Sequence, residues 1–409
     1  MTPTSNLPRW ICQFPISLAV EGPDCYKRMA DMGVQSVAFC SVIYAPYRLV
    51  LPRYPERGIY SLEEGLYFYQ PEAPRYADLP VAPAPSKDFA GRDLLQEMVQ
   101  GAHAAGLKAA VWVTMFANGR IAKLHPDWAI ENLFGSRDRL FLDFDHPQVR
   151  EYSIRVCEEI AQRYEVDELL LDKFPQACLE LNSLAGRIDP VLRTVGSFCF
   201  SEHAAAAANQ RGLDLVAARR KALKLAAESL AIPPHVVQAQ AEDLTGDNEI
   251  PLLLVDHPWI TQVLQSRIDS MRQFLVGLRK RLDAAREGIL LSAAFVPPVK
   301  IGHDAASPRP WLAAQSYAAF ADSELDLIHC VIHWGQDVVE YDTRRAVNAV
   351  AGSGTKICTH IKAYGGTRPE ELGPLGAAAR RGGADGIAYF CYDLMSDPML
   401  EAATALRHT

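Results

Sequence analysis

The chain has little that would send it to a membrane, to nucleic acid or to a disulfide-stapled scaffold. No apolar run approaches the roughly 18 residues that a spanning helix needs. The opening residues, MTPTSNLPRWICQF, carry neither a basic start nor an apolar stretch, so no secretory leader is expected. Lys and Arg form no stripe and the net charge is −8, which disfavours a phosphate-backbone partner. The nine cysteines stand singly with no CxxC pair. Many lie inside apolar runs, where a free thiol behaves as a small hydrophobe. That pattern argues against a disulfide framework and a zinc ribbon, and for a reducing, cytoplasmic setting. No repeat of solenoid length is evident. No glycine-rich turn follows the first apolar run, which disfavours an open nucleotide-binding sheet.

What is present is apolar residue in short runs. Of 409 residues, 49% are hydrophobic, ample for a large core. Eight runs stand out, at 10–16, 34–42, 107–116, 166–174, 288–296, 326–334, 355–364 and 385–394. Most are nearly continuous in apolar residues, as expected of strands covered on both faces. Amphipathic segments alternate with them, several with helix-end signals: Gly33 and Gly106 as stops, Asp145 or His146 with Pro147 as a start. Eight such units close most readily as a single (β/α)8 barrel spanning 1–409.

Two connections exceed ordinary links. Residues 43–92 form a loop excursion after the second strand, rich in Pro, Tyr and Arg. Residues 175–257 form a helical insertion between the fourth strand and its helix. That helix is expected from about Pro258 to Glu287, with Ile260, Val263, Leu264, Met271, Leu275, Leu278 and Leu282 on one face. Both excursions leave from the carboxyl ends of strands, where barrels carry their chemistry.

Polar residues at those strand ends are the candidates. Asp172 ends the fourth run, LLLDKF, where a carboxylate without a partner is costly to bury; a structural ion pair with a cation such as Lys362 is the competing reading. Lys173 follows it and in a regular strand points to the opposite side. His333 and Trp334 end the sixth run, with His329 deeper as a hydrogen-bonded core histidine. His360 and Lys362 share a face of the seventh. Tyr392 and Asp393 close the eighth, where Asp393 could equally cap a helix. Asn118 and His125 follow the third strand, and His125 could be a turn residue. Tyr44 and Arg48, with Arg53 and Tyr54, lie in the loop 43–92. Aromatic and guanidinium groups together suit a polyhydroxylated or anionic substrate, unless the arginines only brace the loop. Asp172, His333, His125 and Asp393 are therefore the catalytic candidates. Tyr44, Arg48, Asn118, Lys173, Trp334, His360, Lys362 and Tyr392 are the substrate-binding ones.

From His125 to Phe174 the chain resembles glycosyl hydrolases of the family 10-like group. The matching residues are His125, Pro126, Asp127 and Trp128, then Leu142, Asp143, Pro147, Val149, Arg150, Glu151 and Tyr152. Tyr164, Val166, Asp167, Leu171 and Asp172 complete the match. The resemblance implies a carbohydrate ligand and makes Asp172 the acidic residue of the fourth strand. Two features depart from the family: Lys173 stands where an aromatic residue is usual, and the helical insertion is atypical. No glutamate ends the seventh strand, so a second carboxylate would be Asp393, Asp127, Asp143, Glu202 or Glu242, or a histidine would move the proton. The expected function is hydrolysis of a small oligosaccharide or glycoside. Three alternatives stand beside it. A metal-dependent hydrolase would use Lys173, His333 and Asp393 but lacks an HxH on the first strand, so neither metal nor cofactor is expected. A lyase or aldolase would use Lys173. A sugar-binding barrel would have lost catalysis. No nucleic-acid or membrane partner is expected, and the insertion offers surface for a homodimer.

Overall fold

The structure is a computed structural model that describes residues 7–54, 58–89, 91–174, 189–232, 249–296, 312–331 and 335–408. Seven of the eight apolar runs contain a strand, and the strand of the first begins one residue before it. The eight strands are β1 (Arg9–Gln13), β2 (Ser36–Cys40), β3 (Lys108–Thr114), β4 (Glu168–Asp172), β5 (Leu290–Phe295), β6 (Leu327–Val331), β7 (Lys356–Lys362) and β8 (Gly386–Phe390). Each pairs in parallel with its sequence neighbours, and β8 pairs with β1 to close the barrel. The helices between them pack outside, as a parallel sheet buried on both faces requires.

Following the register around the barrel returns to β1 displaced by eight residues. That shift stacks the inward side chains in layers of four, drawn from alternate strands. The lowest layer holds Ser36, Glu168, Leu327 and Gly386. Above it lie Trp10, Ala110, Ser292 and Cys358, then Ala38, Leu170, His329 and Ala388. Cys12, Trp112, Ala294 and His360 form the next. Cys40, Asp172, Val331 and Phe390 complete the mouth, with Phe14, Thr114 and Lys362 above. Small residues make room for large ones: a Cβ at Gly386 would lie 2.4 Å from the Trp10 ring. Inside this narrow stack, Asp172 stands four residues above Glu168 on a single strand.

Helix ends follow the local signals. Gly33 and Gly106 take φ of +74° and +75° just past their helices, a backbone region closed to most side chains. His146 caps Pro147–Arg163: its Nδ1 accepts the Gln148 amide at 3.2 Å, and Pro147 opens the helix. In loop 43–92, Tyr47–Val50 pairs antiparallel with Ile59–Leu62 as a hairpin.

Helices Pro190–Gly196, Glu202–Gln210, Leu215–Leu230 and Glu249–Asp256 follow β4. They share an apolar cluster, including Phe198, Ala222 and Ala226, with the hairpin after β3. Helix Trp259–Ala285 joins the two bodies. Ile260 and Val263 pack into the insertion cluster, whereas Met271, Leu275, Leu278 and Leu282 pack on the barrel.

Polar groups lie along this seam. Asp143 is fully buried, accepts the Ser201 hydroxyl and the Asp145 amide, and is pushed up to about 7 by burial and by Asp145. The His146 and His203 rings meet at 4.1 Å. Burial, and then His203, push His146 down to about 4. A histidine held neutral in the fold lowers stability as pH falls from its ordinary value near 6.5 toward 4, because only the unfolded chain takes up the proton there. His146→Asn keeps a good N-cap without that proton. Its melting temperature is expected to fall less than the parent's between pH 6.5 and 4, and a parallel decline in calorimetry would contradict this.

Candidate active site

The barrel mouth is floored by aromatic rings. Phe14 and Trp112 lie 5.8 Å apart, Trp112 and Phe390 5.9 Å, and Phe14 and Phe390 6.3 Å, measured between ring centroids. Trp112 and Phe390 are each partly exposed, so the floor is open above. Asp172 stands in the layer just over Trp112. Its Oδ2 is buried with no hydrogen-bond partner among the described residues, and the same holds for Trp112 Nε1. Lys362 occupies the layer above, its Nζ 5.0 Å from the centre of the Tyr364 ring, which in turn lies against Phe390.

Alternation would turn Lys173 away from Asp172, and the structure corrects this. Lys173 takes a left-handed φ of +53°, which costs a residue with a Cβ and breaks the strand's alternation. Its ammonium therefore lies 4.6 Å from the centre of the Tyr44 ring. The Tyr47 hydroxyl donates to that of Tyr44. Burial, followed by Tyr44, pushes Tyr47 far above the ordinary phenol range, so it is a neutral donor, with Lys173 and Asp172 both close enough to be felt.

Several candidates have other work. Asp393 is completely buried and accepts the amides of Phe14 and Ser17, at 2.7 and 2.8 Å, at the start of helix Pro15–Glu21. It caps that helix and, being fully buried, presents no oxygen to a substrate. Burial pushes its carboxyl up to about 6. Tyr392 donates to Glu21 at 2.9 Å, and Arg53 stacks on its ring at 4.4 Å while bonding the carbonyls of Tyr392 and Met395. Arg53 thus braces the loop. Asn118 caps helix Gly119–Leu124 by accepting the Ile121 amide at 3.0 Å. His125 ends that helix and packs on buried Trp128 at 5.4 Å, as a turn residue does. Arg48 is exposed, because hairpin alternation sends Tyr47 inward and Arg48 to solvent.

His360 lies one layer beneath the mouth, buried, with Nε2 at 2.8 Å from His329 Nδ1. It belongs to the barrel interior and not to the substrate surface. His329 is the hydrogen-bonded core histidine expected. His333, Trp334 and Glu242 lie outside the described residues. Among the other carboxylates proposed as partners, Asp127 and Glu202 are exposed and Asp143 is bound in the insertion seam. Glu63 and Glu64 line a separate open groove of about 490 Å³, in which Glu64 pairs with Lys123. Trp112, Phe14 and Phe390 were not singled out from the sequence. The available signal was their place at inward positions of strand ends, which only the register reveals.

Residues 63–181 match the family described as glycosyl hydrolase-like 10. The fold is that of the glycoside hydrolase domain of PgaB (BpsB) from Bordetella bronchiseptica, with a TM-score of 0.58 at 16% identity over 98% of both chains. The catalytic domain of a β-amylase from Paenibacillus polymyxa aligns at TM-score 0.55 and 10% identity, over 96% of this chain and 94% of that one. A β-galactosidase from Marinomonas ef1 aligns at 0.56 and 12%, over 98% of this chain and 59% of that one. No curated protein matches the chain.

Asp393→Ala removes both acceptors at the first helix and is expected to cost about 2–3 kcal/mol in urea unfolding. Asp393→Asn retains one acceptor and sheds the buried charge, so its loss should be smaller. Equal losses in the two variants would show that the carboxylate is not acting as a cap.

Proposed function

We propose that this chain, which carries the glycosyl hydrolase-like 10 pattern on a closed (β/α)8 barrel, is a glycoside hydrolase with Asp172 at its reacting centre. The observation that carries the reading is a pair of buried polar atoms at the mouth, Asp172 Oδ2 and Trp112 Nε1, that have no partner among the described residues. Leaving such atoms unpaired costs about 1–3 kcal/mol each. A sugar supplies both missing partners, since its hydroxyls donate and accept. Its apolar face suits the Phe14, Trp112 and Phe390 rings beneath. Lys173 and Lys362 add donors around the rim.

The reaction breaks the anomeric C–O bond through a transition state with positive charge on the ring. The leaving oxygen takes a proton, and water replaces it at the anomeric carbon. A carboxylate facing that carbon stabilises the charge and serves as base or nucleophile, and we assign this role to Asp172. Proton delivery falls to a second group, for which His333 remains the sequence's candidate. A small oligosaccharide or glycoside is the substrate class. The eight described cysteines are buried free thiols, which supports a cytoplasmic setting.

A screen of nitrophenyl glycosides on the purified chain tests the reading. Asp172→Asn should lower kcat/KM at least about a hundredfold while sugar binding by calorimetry persists. Trp112→Ala should raise KM about tenfold with a smaller change in kcat. Full activity in Asp172→Asn excludes the assignment, and binding without hydrolysis in the parent identifies a sugar-binding barrel instead.

A further inference from the structure

A chain of ionisable groups climbs the barrel interior below Asp172. At the floor, Glu168 accepts Trp10 Nε1–H at 3.0 Å, His329 Nε2–H at 3.0 Å and the Ser292 hydroxyl. Burial by itself would raise the Glu168 carboxyl. The His329, Ser292 and Trp10 bonds outweigh it and hold the acid below its ordinary value. An ionised carboxylate can only accept, so the ring nitrogen of His329 that faces it must donate. His329 Nδ1 then shares one hydrogen with His360 Nε2 across 2.8 Å. Glu168, His329 and His360 are at most 3% exposed.

We propose that Glu168, His329 and His360 form one proton-holding relay that keeps Asp172 ionised, with His360 as the positioning residue at its upper end. A buried carboxylate needs a counter-charge. Lys108 and Lys356 hold the inward positions below Glu168, but both are exposed at the lower opening and neither forms an ion pair with it. The imidazole pair is the hydrogen-bonded alternative. One added proton makes the three-residue unit neutral, and the shared hydrogen lets either ring bear the charge. No covalent bond changes. The unit's positive end then lies one layer under Asp172, and its negative end four residues down the same strand, about 13 Å away.

Among the described residues, the other ionisable groups facing this column are Cys12, Cys40 and Cys358 in the barrel, and Lys173, Lys362 and Tyr47 at the mouth, with Asp393 and Asp385 close enough to act on Cys40 and Cys358. Burial raises all three thiols and keeps them neutral, and Cys12 and Cys40 are raised further by Asp172. Tyr47 is neutral for the same reason.

The inference rests on Asp172 being the reacting carboxylate, and its test is arranged in two arms. In Glu168→Gln the unit loses its negative charge and its reason to hold a proton. The acid limb of kcat/KM should then move upward by about one pH unit. His360→Gln confines the proton to the more distant His329 and should move the limb the same way by less. Ser292→Ala removes a bond and no charge, and should leave the limb in place. A limb that stays or moves down in Glu168→Gln, or one that moves as far in Ser292→Ala, overturns the relay.

The second arm needs no turnover. Nitrogen-15 spectra of the parent should show one extra proton on the imidazole pair at pH 7, absent in Glu168→Gln. Carbon-13 titration of the Asp172 carboxyl should reproduce the limb shift. Two neutral rings in the parent overturn the proposal even if Glu168→Gln does not fold. Inactivity on every glycoside, with these spectra as expected, rejects the hydrolase reading and leaves the relay standing.

Discussion

Closing eight parallel strands with a displacement of eight residues fixes the height of every inward side chain, and the rest of the molecule is arranged around that constraint. The stack is too narrow for large groups at every level, so Trp10 is housed against Gly386 and Trp112 shares its layer with Cys12 and Ala294. The column becomes polar at the floor, at His329 and at His360, and ends in Asp172. A wall of branched aliphatic residues would be the cheaper filling. The acid and histidines are tolerated because each is hydrogen-bonded to the next.

The same closure explains why Asp393 and Tyr392 are structural despite sitting at a strand end. β8 pairs with β1, so the residues after β8 meet the start of the first helix. Its free amides at Phe14 and Ser17 need acceptors, and Asp393 is the acid within reach. Arg53 then ties loop 43–92 to this corner through Glu21 and Tyr392. A loop that carries Tyr44 and Tyr47 to the mouth is thereby held from its other end.

The helical insertion meets the barrel through the first turns of Trp259–Ala285 and the hairpin after β3. Asp143, Ser201, His146 and His203 lie on that seam, where Ser201 donates to Asp143 and the two imidazole rings pack edge to face. Their residue types resemble a catalytic set, yet their partners are one another and helix ends. The His-Pro-Asp-Trp loop follows the same pattern: Trp128 is buried, and His125 packs on it.

The eight strands were legible in the amino-acid sequence alone, because nearly continuous apolar runs separated by amphipathic segments have one economical closure. The sequence set the ends marked by Gly33, Gly106 and Pro147, where backbone geometry restricts the choice of residue. It also singled out Asp172, since a carboxylate ending an apolar strand stands out without any partner being known. Which strand-end polar groups face the mouth depends on the assembled barrel. Asn118, Asp393 and Tyr392 were claimed by helix ends and a distant arginine, and no local pattern records such partners. Lys173 joined the mouth through one left-handed residue that defeats alternation. Trp112 and the Glu168–His329–His360 column became visible only with the register, because their heights depend on how eight separate strands are staggered.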